Sequence, residues 1–346
     1  MKRYKVLLIH DVELRSREKT ISWAYSHRSR ALQRHAPDDF DVDRCSDKEI
    51  RWNKIRQYDL VFGLDYMLAP AYWRNFKKYG WPTKFVTSFN KDSNSRNELY
   101  PRTLKSCDWM IINNRDRYLA GGISKRTSCI SNGVDCEDWY VTTPIEERED
   151  KLLWCGSTGP AKRKGYHEVI RYLKGYLIDH GFKCDVRPID TFDFKHVWPT
   201  DKQREWYNSG SYYLNLSETE GTPSAALESM ACGCIYISVP IGNVLEFGSD
   251  GVNYVHCDRR RESVLSALKI ARDNKAMLSR NGRDTMDHWS YGRLGQREQY
   301  FYALFRSLID APSELRSWSY EDFTVEDIHA AGGYIHEVLK KQDAKR

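Results

Sequence analysis

The chain reads as an α/β protein made of two β-α domains, and two patterns predict this. Residues 1–145 alternate short apolar runs with amphipathic stretches, the signature of β-α units around a parallel sheet. The polar, proline-containing stretch Thr142–Asp150 then interrupts the pattern, and a new apolar strand, Leu152–Cys155, opens a second β-α series. A length of 346 residues leaves room for two ordinary domains. With 40% apolar and 29% charged residues the composition is that of a folded, water-soluble chain.

In the first series the candidate strands are Lys5–Ile9, Phe40–Arg44, Leu60–Gly63, Lys84–Thr87, Trp109–Asn113 and Ser128–Ser131. A helix is expected over Thr20–Ala36, with Ile21, Ala24, Tyr25, Ala31 and Leu32 inward and Arg28, Arg30, Arg34 and His35 outward. The second series is read as helix Tyr166–Gly181, strand Cys184–Pro188, helix Thr200–Asn208, strand Tyr212–Leu216, helix Ser224–Cys232 and strand Ile235–Val239. The tail from Glu262 is mostly helical until Gly332-Gly333. The expected boundaries are therefore 1–145, 151–305, and a helical tail, 306–346.

No apolar run reaches the roughly 18–20 residues of a spanning helix. The apolar segment behind Met1-Lys2-Arg3 is too short for a signal peptide, so a cytoplasmic location is expected. Nine scattered cysteines without zinc-ligand spacing read as buried thiols in a reducing compartment. Net charge is +6 and unevenly spread: residues 1–145 carry +8, residues 146–346 carry −2. An ordinary solvated surface accounts for that excess, and so does a front half that meets nucleic acid or an anionic membrane.

The most informative stretch is Ser217-Glu218-Thr219-Glu220-Gly221-Thr222-Pro223-Ser224, continued by Ala225 to Gly233. A strand ends, a glycine-containing turn follows, and a helix begins, so backbone N–H groups at the helix start are available to a phosphate. Glu220 stands at the mouth of this turn, and Glu228 lies roughly two helical turns on. Two carboxylates flanking an anion site suit a molecule with phosphates between two sugars. A capped helix with solvated glutamates has the same spacing.

Glu220-x7-Glu228 followed by Met230-Ala231-Cys232-Gly233 resembles the signature of the retaining GT-B enzymes of glycosyltransferase family 4. Gly242, Glu246 and Ser249–Val255 continue that resemblance. Upstream, Ile130–Asp135 is similar to the family's I-P-N-G-V-D, and Trp154-Cys155-Gly156 with Lys164-Gly165 is similar to its phosphate loop. The resemblance spans roughly residues 128–300. It implies two Rossmann-like domains facing across a cleft, with the C-terminal helices packing back on the N-terminal domain.

It also implies a nucleotide-sugar co-substrate, a UDP- or GDP-sugar, with no metal and no cofactor. Glu228 would hold the ribose hydroxyls, and Glu220 the transferred sugar. Gly221, Thr222 and Pro223 would line the diphosphate, beside Gly156 and Ser157. Lys164 would stabilise the leaving group as charge develops there. Glu220 and Lys164 are thus the implied catalytic pair. The D-x-D candidates Asp39-Phe40-Asp41 and Asp41-Val42-Asp43 straddle a strand and read as structural.

Two departures matter. The family's arginine after the loop glycine is Ser157 here, and Lys162 or Arg163 is the nearby cation that would replace it. The glycine-rich turn after the first strand is His10-Asp11-Val12-Glu13, and the histidine after a middle strand is Asn90. His10, Asp11, Asn90 and Asp92 are therefore the acceptor-side candidates. P-loop, G-x-G-x-x-G, G-x-S-x-G and H-E-x-x-H patterns are absent from the sequence.

Basic and aromatic residues mix in the front half: Trp23 and Tyr25 beside Arg28 and Arg30; Tyr72 and Trp73 with Arg74, Lys77 and Lys78; Arg115, Arg117 and Tyr118. Phosphate contacts and base stacking are what a nucleic-acid site needs, which suggests a hydroxymethylated base in DNA as acceptor. A lipid-linked or cell-envelope glycan reached from an anionic membrane surface is the alternative. Rival classes are a nucleotide-sugar epimerase, which needs no acceptor, and a non-catalytic DNA- or glycan-binding module.

Overall fold

The computed structural model describes residues 2–10, 14–15, 20–21, 24–90, 99–115, 118, 126–157, 164–189 and 198–310. In chain order the first elements are β1 (Tyr4–His10), α1 (Ala24–Arg34), β2 (Phe40–Ser46), β3 (Leu60–Gly63), α2 (Ala69–Tyr79), β4 (Lys84–Phe89), α3 (Leu99–Leu104), β5 (Trp109–Ile112) and β6 (Thr127–Cys129). There follow β7 (Glu149–Ser157), α4 (Arg171–Ile178), β8 (Lys183–Ile189), α5 (Thr200–Asn208), β9 (Gly210–Asn215), α6 (Ser224–Ala231) and β10 (Ile235–Ser238). The last are α7 (Val244–Phe247), β11 (Val255–His256), α8 (Arg261–Asp273), α9 (Lys275–His288) and α10 (Glu298–Asp310).

The chain divides into two compact units, one of Met1–Glu13, Trp23–Asn132 and Gln296–Arg346, the other of Leu14–Ser22 and Gly133–Gly295. The first unit is a six-stranded parallel sheet in the order β2-β1-β3-β4-β5-β6. Its central strands are buried along their whole length, as a sheet covered by helices on both faces requires. One face packs Leu7, Ile9 and Phe85 against Tyr72 and Phe76 of α2. On the other, Phe62 meets Phe301 and Phe305 of α10, and the Tyr302 hydroxyl donates to Leu32 O at 2.6 Å. Arg306 pairs with Asp39 at 2.6 Å and Lys2 with Asp310 at 2.7 Å, so α10 belongs to this unit. Residues 311–346 of the predicted helical tail lie outside the described residues.

Three expectations change here. The helix read as Thr20–Ala36 spans Ala24–Arg34, because β-branched Thr20 and Ile21 pair antiparallel with Leu14 and Arg15 instead. Arg28, expected outward, is 5% exposed, with its guanidinium over Phe62 and Phe301 and a bond to Ser88 Oγ at 3.3 Å. Tyr72 and Tyr118 are core residues rather than stacking platforms. Of the D-x-D candidates, Asp39 is held by Arg306 and Asp43 accepts the Tyr58 hydroxyl at 2.7 Å.

The second unit is a five-stranded parallel sheet in the order β8-β7-β9-β10-β11, with α4 and α8 helping to cover one face and α5, α6 and Met286 of α9 the other. The division of the chain falls at Asn132/Gly133, ahead of the polar stretch 142–150, which packs into this unit. Buried Arg148 explains why: its guanidinium donates to Thr143 O at 2.8 Å, Asn208 Oδ1 at 2.8 Å and Cys232 O at 2.7 Å. Its composition is that of a linker, but one buried cation with carbonyl partners anchors it. All nine cysteines are free thiols.

Candidate functional site

In the second unit β8 and β9 lie on opposite sides of β7, so the chain leaves the carboxyl end of β7 at the point where strand order reverses. Open α/β sheets bind ligands outside the strand carboxyl ends at such a switch. There β7 ends in Gly156 and Ser157, and β9 runs on into Leu216 and Ser217.

Two glycines shape what stands above these ends. Gly165 has φ +72°, and a Cβ on it would lie 3.1 Å from Leu216 Cβ and 3.2 Å from Leu216 O. That close approach draws the Lys164-Gly165 turn onto the end of β9. Gly242 has φ +59°, and a Cβ there would lie 2.7 Å from Gly221 O. The turn carrying Glu220 and Gly221 is thereby fixed from a second side. Within it the Lys164 ammonium pairs with Glu220 Oε1, which also accepts the Ser217 hydroxyl at 2.8 Å. Ser217 N–H donates to Asn215 Oδ1 at 3.0 Å, and the Asn215 amide to the Tyr236 hydroxyl at 2.9 Å. The polar groups at the strand end thus form a connected set, and both residues of the implied catalytic pair are in it.

Thr222 Oγ1 donates to Asn243 Oδ1 at 3.2 Å, while the buried Asn243 Nδ2 has no hydrogen-bond partner among the described residues. A buried unpaired donor beside a glycine-shaped turn is what a ligand acceptor atom would satisfy. The helix start differs from expectation: Ser224 N–H turns back to Thr222 O at 2.9 Å and Ala226 N–H to Pro223 O at 2.8 Å. Those amides are engaged by the tight turn into α6.

Glu228, on α6, is half-buried and accepts the Tyr207 hydroxyl at 3.1 Å. Burial pushes its carboxyl up to about 8, with the Asp138 charge adding and the Tyr207 hydrogen bond opposing. Arg259, beyond β11, reaches the same turn region, with Nη2 3.6 Å from the Cβ position of Gly165; it pairs with Glu218 and with Glu168 at 3.7 Å. Tyr207, Asn243 and Arg259 carried no motif signal, because only the fold brings them beside Glu228, Thr222 and Gly165. Lys162 and Arg163 lie outside the described residues.

In the first unit the strand order reverses at β1, and His10 and Asn90 stand at the carboxyl ends of β1 and β4. His10 is 3% exposed, with Arg44 Nη2 3.3 Å from its Nε2. The Asn90 amide donates to Leu64 O at 3.2 Å and Ser88 Oγ at 3.1 Å, and its buried Oδ1 has no partner among the described residues. Asp11 and Asp92 lie outside the described residues.

No family model matches the chain, and no curated protein matches it by sequence. Solved structures do. HepE from Anabaena, in complex with UDP and glucose, is similar at TM-score 0.65 and 12% identity, over 88% of this chain and 100% of that one. A sucrose-phosphate synthase from Thermosynechococcus elongatus is similar at TM-score 0.61 and 12% identity, over 90% and 100%. The lipopolysaccharide outer core galactosyltransferase WaaB is similar at TM-score 0.55 and 14% identity, over 87% and 99%. With six- and five-stranded parallel α/β units and these neighbours, the chain has the GT-B fold.

Proposed function

We propose that the chain is a glycosyltransferase that takes a sugar from a nucleotide-sugar donor bound by the second unit and moves it to an acceptor hydroxyl. The observation that carries this reading is the Lys164–Glu220 pair, held at the sheet switch between two positive-φ glycines. Glu228 accepts hydrogen bonds from the ribose hydroxyls, and Glu220 orients the transferred sugar. Lys164 stabilises the departing diphosphate as the bond between sugar and phosphate breaks. Gly156, Ser157, Gly221, Thr222 and Pro223 line the donor, with Lys162 and Arg163 adding charge beside Lys164. The family resemblance supports transfer with retention: the acceptor oxygen attacks the face the phosphate leaves, and its proton passes to the leaving phosphate oxygen.

The HepE complex makes UDP-glucose the first donor to try, with GDP-sugars next. Donor turnover to nucleotide and free sugar in wild type, lost in Lys164→Ala and Glu220→Ala, is the expected result. A retained anomeric configuration by NMR tests the stereochemistry. Inactivity with every nucleotide sugar would overturn the reading in favour of a binding module.

The acceptor in this proposal belongs to a polyanion, first a hydroxymethylated base in DNA. Its support is charge: Arg74, Lys77 and Lys78 of α2 are exposed, as are Arg102 of α3 and Lys105 beyond it. Burial of Tyr72 and Tyr118 removes two of the aromatics that favoured DNA. Incubation with labelled donor and hydroxymethylated duplex tests it. Label on lipid-linked glycan in anionic vesicles instead would replace DNA by the envelope reading.

A further inference from the structure

The site contains one buried polar contact that the donor contacts do not require, between Tyr207 and Glu228. Arg187 of β8 donates to Gln203 Oε1 at 2.7 Å, and its guanidinium lies 4.9 Å from the Trp206 ring centroid. Gln203 and Tyr207 are four residues apart, hence on one face of α5. The Tyr207 hydroxyl, on a side chain with no exposed surface, then reaches Glu228 Oε2 at 3.1 Å.

We infer that Tyr207 is a positioning residue: fixed in the core with no exposed surface, it holds the Glu228 carboxylate in the orientation that binds the donor's ribose. This rests on the proposed donor site. An unbraced glutamate on a helix samples several rotamers and loses entropy on binding, whereas a carboxylate fixed by a buried phenol is organised beforehand. Tyr207 also favours the ionised form that accepts from two hydroxyls, against burial and the Asp138 charge. Among the described residues, the other titratable groups near this carboxylate are Tyr213 of β9, Cys155 of β7 and Cys232 after α6. Burial holds all three in their neutral forms at physiological pH.

The test titrates UDP and GDP into wild type, Tyr207→Phe, Glu228→Gln and the double variant between pH 6 and 9. Tyr207→Phe is expected to weaken nucleotide binding about tenfold at pH 7 and to move the pH midpoint of binding upward. Glu228→Gln should bind weakly without a midpoint in this range, and the double variant should be no weaker than Glu228→Gln alone. If Tyr207→Phe does not fold, Gln203→Met replaces the polar neighbour one turn from Tyr207 on the same helix face and should give the same signs at smaller size. Equal binding by Tyr207→Phe and wild type, or an additive loss in the double variant, would overturn this inference alone. Absence of nucleotide binding in wild type would overturn it together with the proposed donor site.

Discussion

The two units present the same topological feature, a parallel sheet whose strand order reverses, yet furnish it differently. At the switch of the second unit, two glycines with positive φ press loops onto strand ends, and lysine, glutamate and serine side chains form one connected set. At the switch of the first, His10 and Asn90 are turned into the protein, beside Arg44 in one case and bonded to Leu64 O and Ser88 in the other. Loops that must approach a strand closely need particular residues at particular spacings. Ends whose polar groups face inward tolerate more. The comparison teaches that the strand ends of the second unit are the more tightly determined of the two.

The largest expected break in that contrast comes from Lys164→Ala. Removing the cation from the leaving phosphate should slow donor turnover by about 100-fold or more, measured as nucleotide release. Glu228→Ala comes next. It should raise the donor Kd about tenfold in calorimetry, because a carboxylate lost from a diol removes charge-assisted hydrogen bonds. Gly242→Ala should cost about 1–3 kcal/mol in denaturant unfolding, since φ is positive and Gly221 O lies 2.7 Å from the new Cβ.

A pH effect sharpens the same side. The folded-state value of Glu228 is raised to about 8, from an ordinary 4.5. The folded chain therefore binds more protons than the unfolded one between those limits, and its stability falls as pH rises through that window. Measured against Glu228→Gln, wild type should lose melting temperature between pH 5 and 8. The smallest effect belongs to the first unit: His10→Ala and Asn90→Ala should leave nucleotide Kd within about twofold.

Much of this was readable from the residues. Strand Leu60–Gly63 and helix Thr200–Asn208 have the predicted bounds, because burial along a strand and the spacing around a helix write themselves into the sequence. Glu220, Gly221 and Glu228 were visible because one turn and one helix fix their separation. The meeting of Lys164 with Glu220 was implied only by resemblance, since 56 residues separate them. Tyr207 and Asn243 were not legible: a tyrosine on a buried helix face looks like any core aromatic until the neighbouring helix is known. The stretch 142–150 misled for the opposite reason. Polarity and a proline look like a linker, and nothing local announces that Arg148 will be buried among carbonyl oxygens.

The most direct test of the central claim is a thermal-shift panel of UDP- and GDP-sugars on wild type, Glu228→Ala and Asn90→Ala. A donor-binding second unit predicts that one nucleotide sugar raises the melting temperature of wild type and of Asn90→Ala by several degrees, and that of Glu228→Ala by markedly less at the same concentration. An undiminished shift in Glu228→Ala together with its loss in Asn90→Ala would contradict it and put the nucleotide on the first unit.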